Sequence, residues 1–260
     1  MILDELAAHA RERVAAARAR VPLEEIRARA EALPRGDFRF EKALAGKGTA
    51  FICEIKKASP SRGVIDPQFD YIGIAGQYEE AGADCISVLT EPKWFLGSDD
   101  IFRAVRLTVD APMLRKDFTV DAYQIYEARV LGADAVLLIC ALLDTDTLRE
   151  YLAICDQLGL SALVETHDEA EMQSAVAAGA RLIGVNNRNL RDFSVDLGNA
   201  ARLRAGAPEG TIFVAESGVS CPEDAAKLRQ AGADAILVGE YLMRSPDKQG
   251  ALQALREAAK

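Results

Sequence analysis

The sequence is poor in histidine, and its few cysteines are scattered. His9 and His167 are the only histidines among 260 residues, so a histidine-based catalytic triad or a histidine-rich metal site lacks its parts. His167 is predicted to be an ordinary polar loop residue. The five cysteines form neither a CxxC pair nor a metal-ligand spacing. Most of them lie in or beside apolar runs, which indicates reduced thiols in a cytoplasmic protein and predicts no bound metal.

Long apolar runs and an excess of basic residues are also missing. No run approaches the ~20 apolar residues that a membrane helix requires, and the first residues lack the pattern of a secretory signal. The net charge of −9 argues against a broad surface for nucleic acid or anionic membrane, although a local basic pocket remains allowed. No Walker loop is present and no GxGxxG follows a strand, so a nucleotide is not implied.

What the sequence does contain is a motif that recurs four times. Gly82, Gly132, Gly179 and Gly232 each end a predicted helix in the position of a left-handed cap and precede a short apolar strand. They recur about every 50 residues, which is twice the ~30 residues of one βα unit. The four copies therefore mark every second strand of an eight-fold array.

Strands predicted between the copies complete the array. They are Phe51–Lys56, Ala111–Arg115, Ser161–Glu165 and Thr211–Glu216. Short, nearly continuous apolar strands separated by helices such as Thr147–Leu158 indicate a parallel sheet that is covered on its outer face. A doubly wound open sheet is the alternative, but eight strands and a regular repeat favour a closed (β/α)8 TIM barrel.

The chain is predicted to form a single barrel domain over residues 1–260, of which 1–47 are an N-terminal helical extension. One helix is predicted over Glu5–Arg20, and a second from Pro22 to about Leu33. The extension could cap the bottom of the barrel or form a lid over the opposite rim. The sequence leaves both open.

Charged residues end several of the predicted strands. Ile52, Glu54 and Lys56 alternate along the first strand and share one face. Because burying an unpaired charge costs several kcal/mol, Glu54 and Lys56 indicate either a structural ion pair or a functional site. Further strand ends carry Lys116, Glu165, Asn186 and Glu216. Lysines near carboxylates in a partly dry barrel mouth suit proton transfer, so the set predicts an acid–base site.

A second group of residues indicates the substrate. Glu216-Ser217-Gly218 and Val238-Gly239-Glu240 follow the last two strands, where barrels commonly bind phosphate, and favour a sugar phosphate. The loop Ser59–Gly63 could reach the same phosphate or close over the site. Trp94 and Phe95 are either hinge packing or an aromatic wall. The wall is slightly favoured, as part of an apolar slot beside the charges with Phe118 and Leu137.

These motifs, taken in order, resemble the indole-3-glycerol phosphate synthase family. The resemblance extends over the whole chain and rests on seven blocks, namely Glu54–Ser61, Leu89–Glu91, Leu114–Phe118, Leu163–Glu165, Gly184–Arg188, Ala215–Gly218 and Gly239–Arg244. It implies conversion of 1-(2-carboxyphenylamino)-1-deoxyribulose 5-phosphate to indole-3-glycerol phosphate, CO2 and water, without a metal or an organic cofactor. The only partner expected is this small-molecule substrate.

The resemblance also implies roles for residues. Lys116 would protonate the ketone oxygen, Lys56 and Glu165 would be the acid and base of dehydration in an unassigned order, and Glu54 would hold Lys56 and stabilise positive charge on the anilino nitrogen. The remaining residues fall into three groups: Asn186, Arg188, Glu216 and Ser217 line the site; Ser59 and the backbone at Gly218, Gly239 and Glu240 contact phosphate; Phe95, Phe118, Leu137 and Leu190 grip the anthranilate ring.

Two positions depart from the family pattern. Ala58 stands where some relatives have a basic residue, so one substrate contact is missing. Glu240 stands where others carry serine, and a carboxylate there would repel phosphate unless it points away; only its backbone N–H is expected to contribute.

Two other functions suit these residues less well. A Schiff-base sugar-phosphate aldolase would use Lys116 or Lys56 as nucleophile, but nearby carboxylates favour the charged ammonium. A non-catalytic barrel that binds a phosphorylated metabolite would not need so many acid–base groups. The acidic surface without a clear apolar stripe favours a monomer.

Overall fold

The structure is a computed structural model that describes residues 2–46 and 48–260. Eight parallel strands close into a barrel, each pairing with its neighbours and the first with the last. They are β1 (Ala50–Ile55), β2 (Cys85–Leu89), β3 (Met113–Lys116), β4 (Ala135–Ile139), β5 (Ser161–Thr166), β6 (Leu182–Asn186), β7 (Ile212–Glu216) and β8 (Ala235–Val238). The predicted (β/α)8 barrel is confirmed, and the four predicted strand ranges are wrong by one or two residues at their ends.

Helices alternate with the strands and cover the outside of the barrel. They are α1 (Ile2–Arg20), α2 (Leu23–Glu31), α3 (Arg39–Leu44), α4 (Tyr71–Glu80), α5 (Asp99–Arg106), α6 (Ala122–Leu131), α7 (Thr145–Leu158), α8 (Glu169–Ala178), α9 (Gly198–Arg204), α10 (Pro222–Gln230), α11 (Glu240–Arg244) and α12 (Lys248–Ala258). The glycines of the recurring motif all have positive φ, from 79° at Gly82 to 90° at Gly179, as the predicted left-handed caps require. A two-stranded hairpin, Ala58–Ser59 with Gly63–Val64, follows β1.

The alternation of side chains along each strand divides the core in two. Phe51, Cys53 and Ile55 point outward into the large cluster between sheet and helices. Ile52 belongs to a smaller cluster inside the barrel, with Glu54 two residues further along the same face. The shared face predicted for Ile52 and Glu54 is therefore confirmed.

The N-terminal extension contacts both ends of the barrel. Phe40 and Leu44 of α3 are buried in the interior cluster, and the Glu41 amide donates to Ser161 Oγ (3.2 Å) at the start of β5. Helix α3 therefore closes the N-terminal end, although the sequence did not predict it. Helix α1 reaches the opposite rim, where Arg13 donates to Asp117 Oδ1 after β3 (2.6 Å).

The bounds of the extension shift slightly. The first helix begins at Ile2, earlier than the predicted Glu5, and α2 ends at Glu31, with Pro22 preceding it as its N-cap. The end residues of the predicted extension, 1 and 47, lie outside the described residues. Across the described ranges, none of the helices has the length and apolar character needed to cross a membrane.

Candidate active site

All the predicted site residues line one cavity of about 870 Å³ at the C-terminal end of the barrel. They reach it from strand ends or from the loops that follow, because the parallel strands all finish at this rim. The register aligns them further: Glu216 of β7 pairs with Asn186 of β6, and Lys116 ends β3 beside Leu89 of β2. The structure thus brings together the predicted acid–base, phosphate and ring-binding residues, whereas Trp94 lies outside the cavity lining.

Lys116 lies at the centre of the acidic groups. Its Nζ donates to Glu216 Oε2 (2.5 Å) and lies 3.6 Å from Glu165 Oε2. Burial alone would lower the pKa of this ammonium, but the charges of Glu216, Glu165 and Glu54 outweigh it and raise the pKa well above its ordinary value. Lys116 is therefore held protonated, which suits a proton donor and not a nucleophilic amine.

Glu216 is buried, and only one of its two carboxylate oxygens is paired. Its Oε1 has no hydrogen-bond partner among the described residues. Burial, and next the charge of Glu165, raise the pKa of this carboxyl to about 7 against the lowering effect of Lys116. The group can therefore hold or release a proton near neutral pH.

A glycine makes space for Glu216. A side chain at Gly184, on β6, would bring its Cβ to 2.1 Å from Glu216 Oε1. Real Cβ atoms never approach so closely, so any larger residue would displace the carboxylate. The glycine in the sixth strand is therefore a packing requirement of the acid–base cluster.

Glu54 and Lys56 form an ion pair inside the mouth. Lys56 Nζ donates to Glu54 Oε1 (2.6 Å), and Ser87 Oγ donates to Glu54 Oε2 (3.4 Å). Burial would raise the pKa of Glu54, but Lys56 and Lys116 lower it overall. A Cβ at Gly239 would meet both Glu54 Oε1 (2.6 Å) and Lys56 Nζ (2.7 Å), so this glycine leaves room for the pair. Glu54 and Lys56 are therefore an ion pair, and that pair lines the cavity in which the functional site is predicted.

Glu165 presents its two oxygens to different partners. Oε2 faces Lys116, whereas Oε1 accepts from Asn186 Nδ2 (3.3 Å). Asn186 Oδ1 in turn accepts from the Arg188 amide (3.0 Å). His167 Nε2 lies 3.4 Å from Glu165 Oε1. His167 lies in the loop after β5, as predicted, but its side chain is only 17% exposed and lies between the carboxylates of Glu165 and Glu171. The i+2 spacing from Glu165 was the signal that could have identified it.

An apolar slot lies beside the charges. The rings of Phe95 and Phe118 are 6.0 Å apart and tilted by 40°, and Leu137 and Leu190 line the same cavity. Glu91 fixes the loop after β2 by accepting from the backbone amides of Trp94 (2.7 Å) and Phe95 (3.0 Å). Trp94 itself does not line the cavity and packs edge-on against His9. Of the two aromatic residues, only Phe95 forms the wall.

Helix α1 supplies part of the slot that the sequence did not identify. Ile2, Leu3 and Leu6 line the cavity. The sequence could not predict this contact, because an apolar residue on a helix normally indicates packing against the core. The rim-side alternative for the extension therefore holds for the start of α1.

The other end of the cavity is rich in arginine. Glu240 Oε2 accepts from Arg62 Nε and Glu240 Oε1 accepts from Arg244 Nε, both at 3.1 Å. The carboxylate thus lies between two guanidinium groups instead of standing free. Arg188 lines the same region; burial lowers the pKa of its guanidinium, and the charge of Glu240 opposes that shift.

The backbone of the loop after β7 is left-handed at two successive residues. Ser217 (φ 66°) and Gly218 (φ 96°) both adopt left-handed conformations, and a Cβ at Gly218 would lie 2.6 Å from Val195 Cγ1. Ser59 Oγ and Ser61 Oγ lie 3.4 Å apart in the loop after β1, which lines the cavity. Arg244 ends the last of the seven motif blocks but was not among the predicted site residues, since an arginine in a short helix is normally a solvated residue. In residues 2–46 and 48–260, no group of three or more His, Cys, Asp or Glu side chains is arranged to hold a metal ion.

Nearly the whole chain is similar to proteins of one family. A sequence model of the family described as indole-3-glycerol phosphate synthase matches residues 3–255. A protein of that name from Ruminiclostridium cellulolyticum is 55% identical over 260 residues, covering 100% of both chains. Another from Lachnoclostridium phytofermentans is 46% identical, covering 98% of this chain and 99% of its own.

Solved structures with low sequence identity share the fold. A thiamine phosphate pyrophosphorylase from Pyrococcus furiosus has a TM-score of 0.61 at 17% identity, covering 81% of this chain and 95% of its own. A tryptophan synthase subunit alpha from Legionella pneumophila has a TM-score of 0.60 at 16% identity, covering 85% and 98%. At such identities the likeness supports the barrel fold alone.

Proposed function

The chain belongs to the indole-3-glycerol phosphate synthase family, and we propose that the charged cluster around Lys116 carries out its chemistry. Its activity is that of an indole-3-glycerol phosphate synthase, a carboxy-lyase of tryptophan biosynthesis. The observation that carries the proposal is the contact of Lys116 with both Glu216 and Glu165 in one buried mouth. We infer that the substrate is 1-(2-carboxyphenylamino)-1-deoxyribulose 5-phosphate.

In the first step, Lys116 donates a proton to the ketone oxygen as the ring carbon attacks. The raised pKa of its ammonium supports this role, since the group enters the reaction charged. Glu216 holds Lys116 in position through its 2.5 Å contact. Loss of CO2 then restores the aromatic ring without any further acid.

Lys56 and Glu165 form the acid–base pair of dehydration. Their positions on β1 and β5 would put them on opposite sides of a ligand that lies across the mouth. Glu54 orients Lys56 at 2.6 Å and stabilises positive charge on the anilino nitrogen, because its carboxylate stays ionised. Asn186 holds Glu165, and Ser217 completes the rim.

Substrate binding divides between the two ends of the cavity. Phe95, Phe118, Leu137 and Leu190 hold the anthranilate ring in the apolar slot. Arg188, Ser59 and the backbone at Gly218, Gly239 and Glu240 hold the phosphate, with Arg62 and Arg244 neutralising the Glu240 carboxylate. That neutralisation removes the repulsion expected between Glu240 and phosphate, and offsets the missing basic side chain at Ala58.

We infer that the chain works as one barrel unit over residues 1–260, because α1 contributes to the cavity wall. We further propose a cytoplasmic monomer. Five free cysteines support a reducing compartment, and the large exposed apolar side chains of the described residues are dispersed along the chain. Light scattering at micromolar concentration should give the mass of one chain; a dimer mass would contradict the monomer.

Rapid-quench mass spectrometry tests the division of roles. With Lys56→Met or Glu165→Gln we expect an intermediate that has lost CO2 but still retains the water, because ring closure proceeds and dehydration stalls. With Lys116→Met no such species should form. Accumulation of the same intermediate in Lys116→Met, or its absence from both dehydration variants, would contradict the assignment.

A further inference from the structure

His167 lies between two cavities. Glu165 lines the substrate cavity, whereas His167 and Glu171 line an adjoining cavity of about 610 Å³ that shares part of its lining with the first. Exposed residues of the loop after β6, Asn189 and Arg191, border this second cavity, so it opens to solvent. The imidazole therefore forms the wall behind the catalytic carboxylate.

The contacts of the ring define its orientation. His167 Nδ1 lies 3.0 Å from Glu171 Oε2, which also accepts from the His167 backbone amide at 2.8 Å. The His167 carbonyl accepts from Asn199 Nδ2 (3.1 Å) on α9. Both ends of the loop residue are thus fixed, and Nε2 is directed at Glu165 Oε1.

The second ring nitrogen of His167, Nε2, has no hydrogen-bond partner among the described residues. Nε2 is buried and makes no hydrogen bond within the described ranges, and its 3.4 Å separation from Glu165 Oε1 is only slightly longer than a hydrogen bond. Hydrogen bonds in active sites are often long without substrate and shorten when it binds. A small rotation of Glu165 towards the ring would close this gap.

The carboxylates that face His167 favour a protonated ring. Burial lowers the pKa of His167, but the hydrogen bond that the ring donates to Glu171 and the charges of Glu165, Glu171 and Glu216 outweigh it and raise the pKa above its ordinary value. Asn199 on α9 is uncharged. Further charged groups line the second cavity, namely Asp168, Arg188, Arg191 and Arg202.

We propose that His167, oriented by Glu171, is the positioning residue of Glu165: its Nε2–H binds Oε1 and leaves Oε2 directed at Lys116 and the substrate. The carboxylate is buried and would otherwise have only Asn186 to fix its inner oxygen. A second donor on Oε1 restricts rotation about the last side-chain bond, so Oε2 stays on the substrate side. This proposal rests on the role of Glu165 in dehydration proposed above.

A pH profile of dehydration, measured under single-turnover conditions, tests it. In the parent, the rate should fall as pH rises through the pKa of His167, because Nε2 then loses its proton and stops donating. His167→Gln should lose this inflection, since its amide can still donate but does not titrate. Glu171→Gln should shift the inflection to lower pH. The matched control, Glu169→Gln, removes an exposed carboxylate of α8 and should leave the profile unchanged.

His167→Ala should lower the dehydration rate about tenfold, with a smaller change in KM, as expected for losing a hydrogen bond to a charged group. An inflection that persists in His167→Gln, or an unchanged rate in His167→Ala, would overturn the proposal. Glu165→Gln separates this failure from that of the proposed function. If it turns over normally, the role of Glu165 is wrong; if it stalls while the His167 variants behave like the parent, only the positioning role is wrong.

Discussion

Two neighbouring layers of side chains lie inside the barrel, a lower apolar layer and an upper charged layer, and the same strands contribute to both. On β3, Leu114 is fully buried in apolar packing, and Lys116, two residues later on the same face, is an ion-paired acid. Val214 and Glu216 repeat the change on β7. A step of two residues therefore separates the apolar layer, which holds the barrel together, from the charged layer to which we assign the chemistry.

The lower layer consists of buried apolar side chains, whereas the upper layer contains buried polar atoms that have no hydrogen-bond partner among the described residues. Phe40 and Leu44 close the interior cluster from below. Above it, Glu216 Oε1 and His167 Nε2 are buried without hydrogen-bond partners among the described residues. Buried polar groups that lack partners cost stability, so we attribute the upper layer to the proposed chemistry and not to stability.

The largest expected effect is on activity, in the upper layer. Lys116→Met removes the proton donor while keeping an unbranched side chain. We expect kcat to fall by about 10³- to 10⁴-fold, because general acid catalysis contributes on that scale. Indole fluorescence during turnover measures it, and circular dichroism confirms folding. Turnover within about tenfold of the parent would remove Lys116 from the mechanism.

The next effect is on stability, in the lower layer. Leu44→Ala on α3 should lower the free energy of unfolding by about 3 kcal/mol, since it leaves a cavity under the barrel floor. The kcat of the folded protein should stay within about twofold of the parent. Urea unfolding gives the first value and the fluorescence assay the second. A large loss of kcat in a folded Leu44→Ala protein would show that the layers are not separate.

A smaller effect is the pH dependence of stability caused by Glu216. Its carboxyl has a pKa of about 7 when folded against 4.5 otherwise, so ionisation favours the unfolded chain. Below pH 4.5 the group is neutral in both states and costs nothing. The cost grows from pH 4.5 to 7 and is constant above. Relative to the parent, Glu216→Gln should therefore gain about 1–3 kcal/mol across that window. Urea unfolding at pH 4, 5.5, 7 and 8 measures the difference, and a constant difference would contradict the raised pKa.

Much of the arrangement was predictable from the sequence because it depends on periodicity. The glycine spacing gave the eight-fold array, and alternation on β1 correctly assigned Ile52 and Glu54 to one face. Charged strand ends identified the rim, since parallel strands finish together.

What the sequence could not give depends on long-range packing. The position of α3 follows from Phe40, which fills the floor of the barrel. A local sequence pattern does not predict that contact. Arg244 acts through Glu240, and His167 through Glu165 and Glu171. These pairings do not form a recognisable motif in the sequence. They are visible only in the fold, which brings the groups close to hydrogen-bond distance.

The most direct test of the two-layer account is the unfolding free energy of the double variant Lys116→Met/Glu216→Leu at pH 7. Replacing a buried ion pair by apolar side chains of similar volume is often neutral or stabilising. The account predicts an inactive protein that is at least as stable as the parent. A double variant destabilised by several kcal/mol would mean that the charged layer holds the barrel together, and would contradict the separation of stability from chemistry.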